Sequence, residues 1–142
     1  MTTSHTRPPD ASEVDRILVV DDHQLVREAL VGLLRRHAGI AVCGEADSIE
    51  QGIYLVAKHQ PDLVLVDLML HGRDGLDLVR HLHTHHPEIR TVVITMKDEE
   101  TFAHKAQQAG ASGFIMKDRL TEDLRPAIDV VRFGGTWYPG RV

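Results

Sequence analysis

Five short apolar runs alternate along the chain with longer stretches of helical period. The runs cover residues 16–20, 40–44, 63–66, 91–95 and 112–116. Leu63, Val64, Leu65 and Val66 show the pattern most clearly: a continuous apolar stretch rich in β-branched residues, suited to a strand buried on both faces. Between the runs, apolar residues recur at i, i+3 and i+4. Leu25, Val26, Ala29, Leu30, Leu33 and Leu34 predict a first amphipathic helix, closed by Gly39. Ser48 with Gln51 three residues on is a capping-box spacing, and the helix it opens runs to Pro61. Leu76, Leu78, Val79 and Leu82 predict a third helix that stops before Pro87. Residues 98–109 predict a weaker one ending at Gly110, and the last begins near Thr121 and runs to Gly134-Gly135. Pro126 predicts a late start or a slight bend in that helix, because proline cannot bond to the preceding turn. Strands alternating with helices imply right-handed crossovers, so the expected fold is α/β, a doubly wound five-stranded parallel sheet with helices on both faces.

Composition narrows the picture. A chain of 142 residues can bury one substantial core, and its 42% hydrophobic and 26% charged content is that of a globular protein. A net charge of −5 argues against nonspecific nucleic-acid binding by these residues. The single cysteine, Cys43, rules out an internal disulfide and reads as a small core residue. No apolar stretch approaches the roughly 20 residues of a membrane span, and residues 1–14 lack an apolar signal core. A disordered leader over 1–14 and a cytoplasmic location, with no membrane partner, are the expectations.

The chemistry gathers where strands end. Asp21, Asp22 and Asp67 follow predicted strands at the same edge of one sheet, and Thr95 and Lys117 end two others. Open α/β sheets place their ligands at that edge. Clustered carboxylates repel one another unless a cation joins them, and Mg²⁺, which takes few carboxylates and is often completed by phosphate oxygens, is the natural one. Lys117 would pair with the same charge, and the Thr95 hydroxyl could bond a phosphoryl oxygen. An aspartate can carry a phosphoryl group as a covalent intermediate, so Asp67 is the candidate acceptor.

Asp21-Asp22, the Asp67 strand followed by Asp74-Gly75, Thr95, and Phe114-Ile115-Met116-Lys117 resemble the CheY-like receiver domain of two-component response regulators. The resemblance spans about residues 16–135 and implies the flavodoxin-like strand order 2-1-3-4-5. It makes Asp67 the phosphoacceptor, Asp21 and Asp22 the Mg²⁺ acids, and the Met69 backbone carbonyl a further ligand. Thr95 and Lys117 become the pair that senses the phosphoryl group, and Phe114 holds the aromatic switch position. It further implies a sensor histidine kinase as phosphodonor and a homodimer formed on phosphorylation. Asp21-Asp22-His23, Lys117-Asp118 and the ending Gly134-Gly135-Thr136-Trp137-Tyr138-Pro139 resemble the LuxR/NarL-type subfamily, in which a helix-turn-helix domain follows. Residues 15–135 are then the receiver domain and 136–142 the start of a linker, with DNA contact only through a C-terminal domain missing from this chain.

Departures and rivals remain. His71 stands where the family usually has proline, which predicts a looser loop after Asp67. Met96 follows Thr95 where a small residue is usual, and its bulk would narrow access to an acyl phosphate. An aspartate-nucleophile phosphohydrolase would need a second acid two residues after the nucleophile, where this chain has Met69, so the protein is expected to be a signalling phosphoacceptor and not a turnover enzyme. A pseudo-receiver acting by protein contact alone is the other alternative. His81, His83, His85 and His86 read as a solvated helix end, two shared-face imidazoles being too few for a closed zinc site.

Overall fold

The computed structural model describes residues 14–96 and 100–138. All of the expected leader except Val14, the Asp98 start of the fourth helix, and residues 139–142 of the expected linker lie outside the described residues. The chain runs β1 (Asp15–Val20), α1 (Gln24–Arg35), β2 (Ile40–Ala46), α2 (Ile49–His59), β3 (Leu63–Asp67), β4 (Met69–Leu70), β5 (Arg73–Asp74), α3 (Leu76–His85), β6 (Arg90–Thr95), α4 (Glu100–Ala109), β7 (Gly113–Met116) and α5 (Leu120–Arg132). A turn of 3₁₀ helix, Lys117–Arg119, joins β7 to α5.

Five strands form one parallel sheet in the order β2-β1-β3-β6-β7, which is the expected flavodoxin-like order. Each central strand is buried on both faces because its side chains alternate between two cores. Leu18, Val20, Val64, Val66, Val93 and Phe114 pack against α2, α3 and α4. Ile17, Val19, Leu63, Leu65, Val92, Ile94 and Ile115 pack against α1 and α5. That double burial explains the uninterrupted apolar runs, since neither face meets water.

Several local expectations hold in detail. Ser48 Oγ accepts the Gln51 N–H at 3.1 Å and starts α2, while the Gln51 side chain reaches back to the Asp47 N–H. Gln60 takes a left-handed backbone (φ 50°) that ends α2 before Pro61. Not anticipated from the sequence, the Asp74 carboxylate accepts the Leu76 N–H at 2.9 Å at the start of α3.

Three differ. Helix α1 ends at Arg35 and not at Gly39, because Arg36 and His37 bond three residues back to Leu33 and Leu34 and tighten the last turn. Its buried face is Leu30, Val31 and Leu34, whereas Leu25 is 80% exposed and Ala29 faces solvent. Helix α5 starts early, at Leu120, and carries Pro126 as its seventh residue, so the expected late start does not occur. The residues after α5 do not leave the domain at once. Trp137 runs parallel to the edge strand β7, accepting the Phe114 N–H at 2.9 Å and donating its own N–H to the Ser112 carbonyl at 2.9 Å.

Candidate functional site

The carboxyl ends of β1, β3 and β7 converge on one acidic pocket. Asp21 follows β1 and is 0% exposed; Asp67 ends β3 and is 6% exposed. Lys117, the first residue after β7, reaches over the sheet edge with its ammonium 3.1 Å from Asp67 Oδ2 and 3.3 Å from Asp21 Oδ2. Only the Asp67 contact has hydrogen-bond geometry, so Asp21 Oδ2 is charge-paired without receiving a proton. Burial, and then the charge on Asp21, push the Asp67 carboxyl up to about 6 against the pull of Lys117.

Backbone and side-chain donors set the angles of the acids. Asp21 Oδ1 accepts the His23 N–H at 2.9 Å, and the Arg27 guanidinium donates to the Asp21 carbonyl at 2.6 Å while pairing with Glu45 at 3.2 Å. Asp22 Oδ2 accepts the His71 N–H at 2.7 Å. Asp67 Oδ1 accepts the Met69 N–H at 3.4 Å, which puts the Met69 backbone against the Asp67 carboxylate. Gly75 closes the loop from below: a Cβ there would lie 2.1 Å from the Asp67 carbonyl oxygen, so only glycine fits.

Thr95 is buried at the end of β6, one residue beyond Ile94, the register partner of Asp67. Phe114 is buried in the core beside α3 and α4, three residues before Lys117. Met96 is 74% exposed and stands in solvent. The loop after Asp67 is anchored, against the expectation of looseness: His71 adopts φ 53°, a conformation closed to proline, and its N–H grips Asp22. Sequence reasoning missed Arg27 and the His71 amide. Arg27 lies six residues after Asp21 on the first turns of α1 and carried a readable signal, but a left-handed histidine carries none.

The donor set suits a hard cation. Ligand atoms of Asp21, Asp22, His23 and Asp67 lie within 4.8 Å of one another. Asp21 Oδ2 and Asp22 Oδ1 are buried without a hydrogen-bond donor, which a bound ion would remedy. The α3 histidines form no comparable group among the described residues; His81 and His85 stack with ring centroids 4.3 Å apart.

Comparison with known proteins agrees with this geometry. Residues 17–129 match the family described as response regulator receiver domain. The chain is 38% identical over 123 residues to the response regulator GacA of Pseudomonas viridiflava, covering 87% of this chain and 57% of that protein. It thus spans little more than half of that relative's length. It superposes with a TM-score of 0.84 and 35% identity on a two-component response regulator of the LuxR family from Aurantimonas sp. SI85-9A1, covering 88% of this chain and 89% of the other. The signal receiver domain of NarL from Mycobacterium tuberculosis gives 0.80 and 32%, over 86% and 98% of the two chains. Response-regulator receivers are signalling proteins, and among the described residues no helix is long and apolar enough to cross a membrane. An acid pair at one strand end, an aspartate at the next and a lysine reaching across to both are what this fold and these relatives lead to: the chain belongs to the response regulator receiver domain family, of the NarL/LuxR type.

Proposed function

We propose that Asp67 accepts a phosphoryl group and that the fold converts its charge into a change at the α4–β7–α5 surface. The observation that carries this reading is the single ammonium of Lys117 set between Asp67 and Asp21 at the rim of a parallel sheet. In the transfer an Asp67 carboxylate oxygen attacks phosphorus and an O–P bond forms. The bond from phosphorus to the donor, a phosphohistidine of a sensor kinase or a small acyl phosphate, breaks, and its electron pair leaves with the donor. Lys117 holds the acceptor oxygen and balances charge; Asp21, Asp22, Asp67 and the Met69 carbonyl would hold Mg²⁺. That ion supplies charge neutralisation between two anions.

Phosphorylation adds about −1.5 to −2 charges. In that state the phosphoryl oxygens offer Thr95 and Lys117 new acceptors, in addition to the Asp67 bond Lys117 already makes, which biases the loops after β6 and β7. Moving a population from mostly inactive to mostly active takes about 5.5 kcal/mol of differential interaction, and charge-assisted bonds supply a large share. Phe114 has no hydroxyl, so its rearrangement is driven by packing. With Met69 where a phosphohydrolase would carry its general acid, the acyl phosphate is lost slowly and the protein is a switch. Its partners in this reading are a histidine kinase, a second copy of itself on phosphorylation, and DNA only through the part of a longer regulator this chain does not span; the setting is the cytoplasm.

Mass spectrometry after treatment with acetyl phosphate and Mg²⁺ tests the reading. Wild type gains one phosphate and Asp67→Asn gains none. An unmodified wild type points to a pseudo-receiver, and steady turnover of a phosphomonoester points to a hydrolase.

A further inference from the structure

The chain after α5 is fastened to the strand that ends at the phosphoryl site. Helix α5 closes in a Schellman motif: the Gly134 N–H bonds the Val131 carbonyl at 2.9 Å, and the Gly135 N–H bonds the Val130 carbonyl at 3.0 Å. Gly134 takes φ 94°, and a Cβ on Gly135 would lie 2.7 Å from Val130 Cγ1, so the turn needs both glycines. It sends the chain back along β7. There the Phe114 N–H and the Ser112 carbonyl grip Trp137 on either side of Gly113. A Cβ on Gly113 would lie only 3.3 Å from the Trp137 carbonyl oxygen, so this approach is fitted as well. The Tyr138 hydroxyl adds a bond to the Ala111 carbonyl. Trp137 and Tyr138 alternate as strand residues do, the first half-buried against the α1–α5 core and the second against the core on the other face.

Strand β7 is only four residues long, Gly113–Met116. At its carboxyl end Lys117 reaches Asp67, 3.1 Å away, and at its amino end it holds residues 137 and 138. Phe114 belongs to both ends: its side chain is buried in the core, and its N–H is the one that Trp137 accepts. A net hydrogen bond is worth up to about tenfold in an equilibrium, so three fasten the returning segment to β7 and its approach by roughly a thousandfold. Toward α5 the same segment is joined through Gly135 and the exposed Thr136, and glycine is the backbone that flexes most readily. A displacement of β7 relative to α5 is therefore absorbed at that joint, and the segment travels with the strand.

We propose that residues 134–138 are a strap through which the phosphoryl signal leaves the domain. When Lys117 and Thr95 rearrange, β7 carries the strap with it and repositions the chain beyond Tyr138. The strap stays bonded in both states. This deepens the phosphoryl reading and rests on it.

Trp137 is the only tryptophan in the chain, so its emission reports on the strap. The full chain is treated with acetyl phosphate and Mg²⁺, and mass spectrometry counts the phosphate taken up. The same sample gives the Trp137 emission maximum and the amide exchange of Phe114 and Trp137. Phosphorylated wild type shows a shifted maximum that persists across a dilution series, with both amides still protected, and Asp67→Asn shows no shift. Gly135→Ala with Tyr138→Phe unseats the strap. That variant takes up phosphate as wild type does, emits at longer wavelength from the outset and shifts no further on phosphorylation. Tyr138→Phe alone, which leaves the turn intact, reduces the shift. An unmoved maximum in phosphorylated wild type overturns the inference, as does a full shift in the unseated variant. So does a shift that fades on dilution, which marks a dimer contact, or lost protection at Phe114, which marks a strap that lets go. Wild type that takes up no phosphate removes the phosphoryl reading and the role of the strap with it; failure of the strap alone leaves the phosphate in place.

Discussion

Asp67→Asn should make the metal-free domain more stable, by an amount that depends on pH. The Asp67 carboxyl moves from 3.8 to about 6 on folding, because burial and the Asp21 charge outweigh Lys117. A raised carboxyl means that the folded chain holds the proton more tightly than the unfolded one. Its contribution to stability is full below about pH 3.8 and is lost as the pH rises through about 6. Asparagine imitates the protonated acid at every pH and leaves Lys117 its contact with Asp21. At roughly a factor of ten in the folding equilibrium for each pH unit between 3.8 and about 6, the variant gains about 1–2 kcal/mol at pH 5 and about 3 kcal/mol at pH 8. Urea denaturation in EDTA at the two pH values reads the difference, and about 3 kcal/mol corresponds to a melting shift of roughly 6–12 °C for a domain of this size. Added Mg²⁺ narrows the gap by stabilising the wild type alone. An equal stability difference at both pH values, or a variant less stable than wild type, refutes the electrostatic account of the pocket.

Lys117→Met removes the cation shared by two buried carboxylates; it destabilises the domain by about 3 kcal/mol and raises the Asp67 titration further, which carboxyl NMR follows. Gly75→Ala drives a methyl group into the Asp67 carbonyl and should cost about 4 kcal/mol or more in urea unfolding, with loss of acetyl phosphate reactivity. Met96→Ala is expected to speed autodephosphorylation if the exposed thioether folds over the acyl phosphate; an unchanged rate rejects that shielding role.

The central strands were legible because burial on both faces leaves no polar alternation, whereas the edge strand β2, mostly half-buried, runs two residues past its apolar stretch to Ala46. Asp67 and Lys117 were legible for the same reason, as charged residues that end such runs. Helix α1 was harder to read. Leu25 and Ala29 share the apolar stripe but lie on its outer flank, and only the docking angle on the sheet decides that Val31 is buried instead. The β4–β5 ribbon left no trace, since Met69–Leu70 and Arg73–Asp74 are too short to show a period. The grip of His71 on Asp22 depends on a positive φ that the residue type does not announce. Gly75 signalled a turn, but its closeness to the Asp67 carbonyl is visible only in three dimensions.

The strip of chain that carries Trp137 along β7 has a practical meaning for anyone shortening this protein. Ending it at Arg132 would uncover the Phe114 amide and the Ser112 carbonyl and turn a guarded border into a template for a neighbour's strand. Such a fragment would stick to copies of itself for reasons unrelated to signalling, and its self-association would not test the phosphorylation-dependent dimer proposed above.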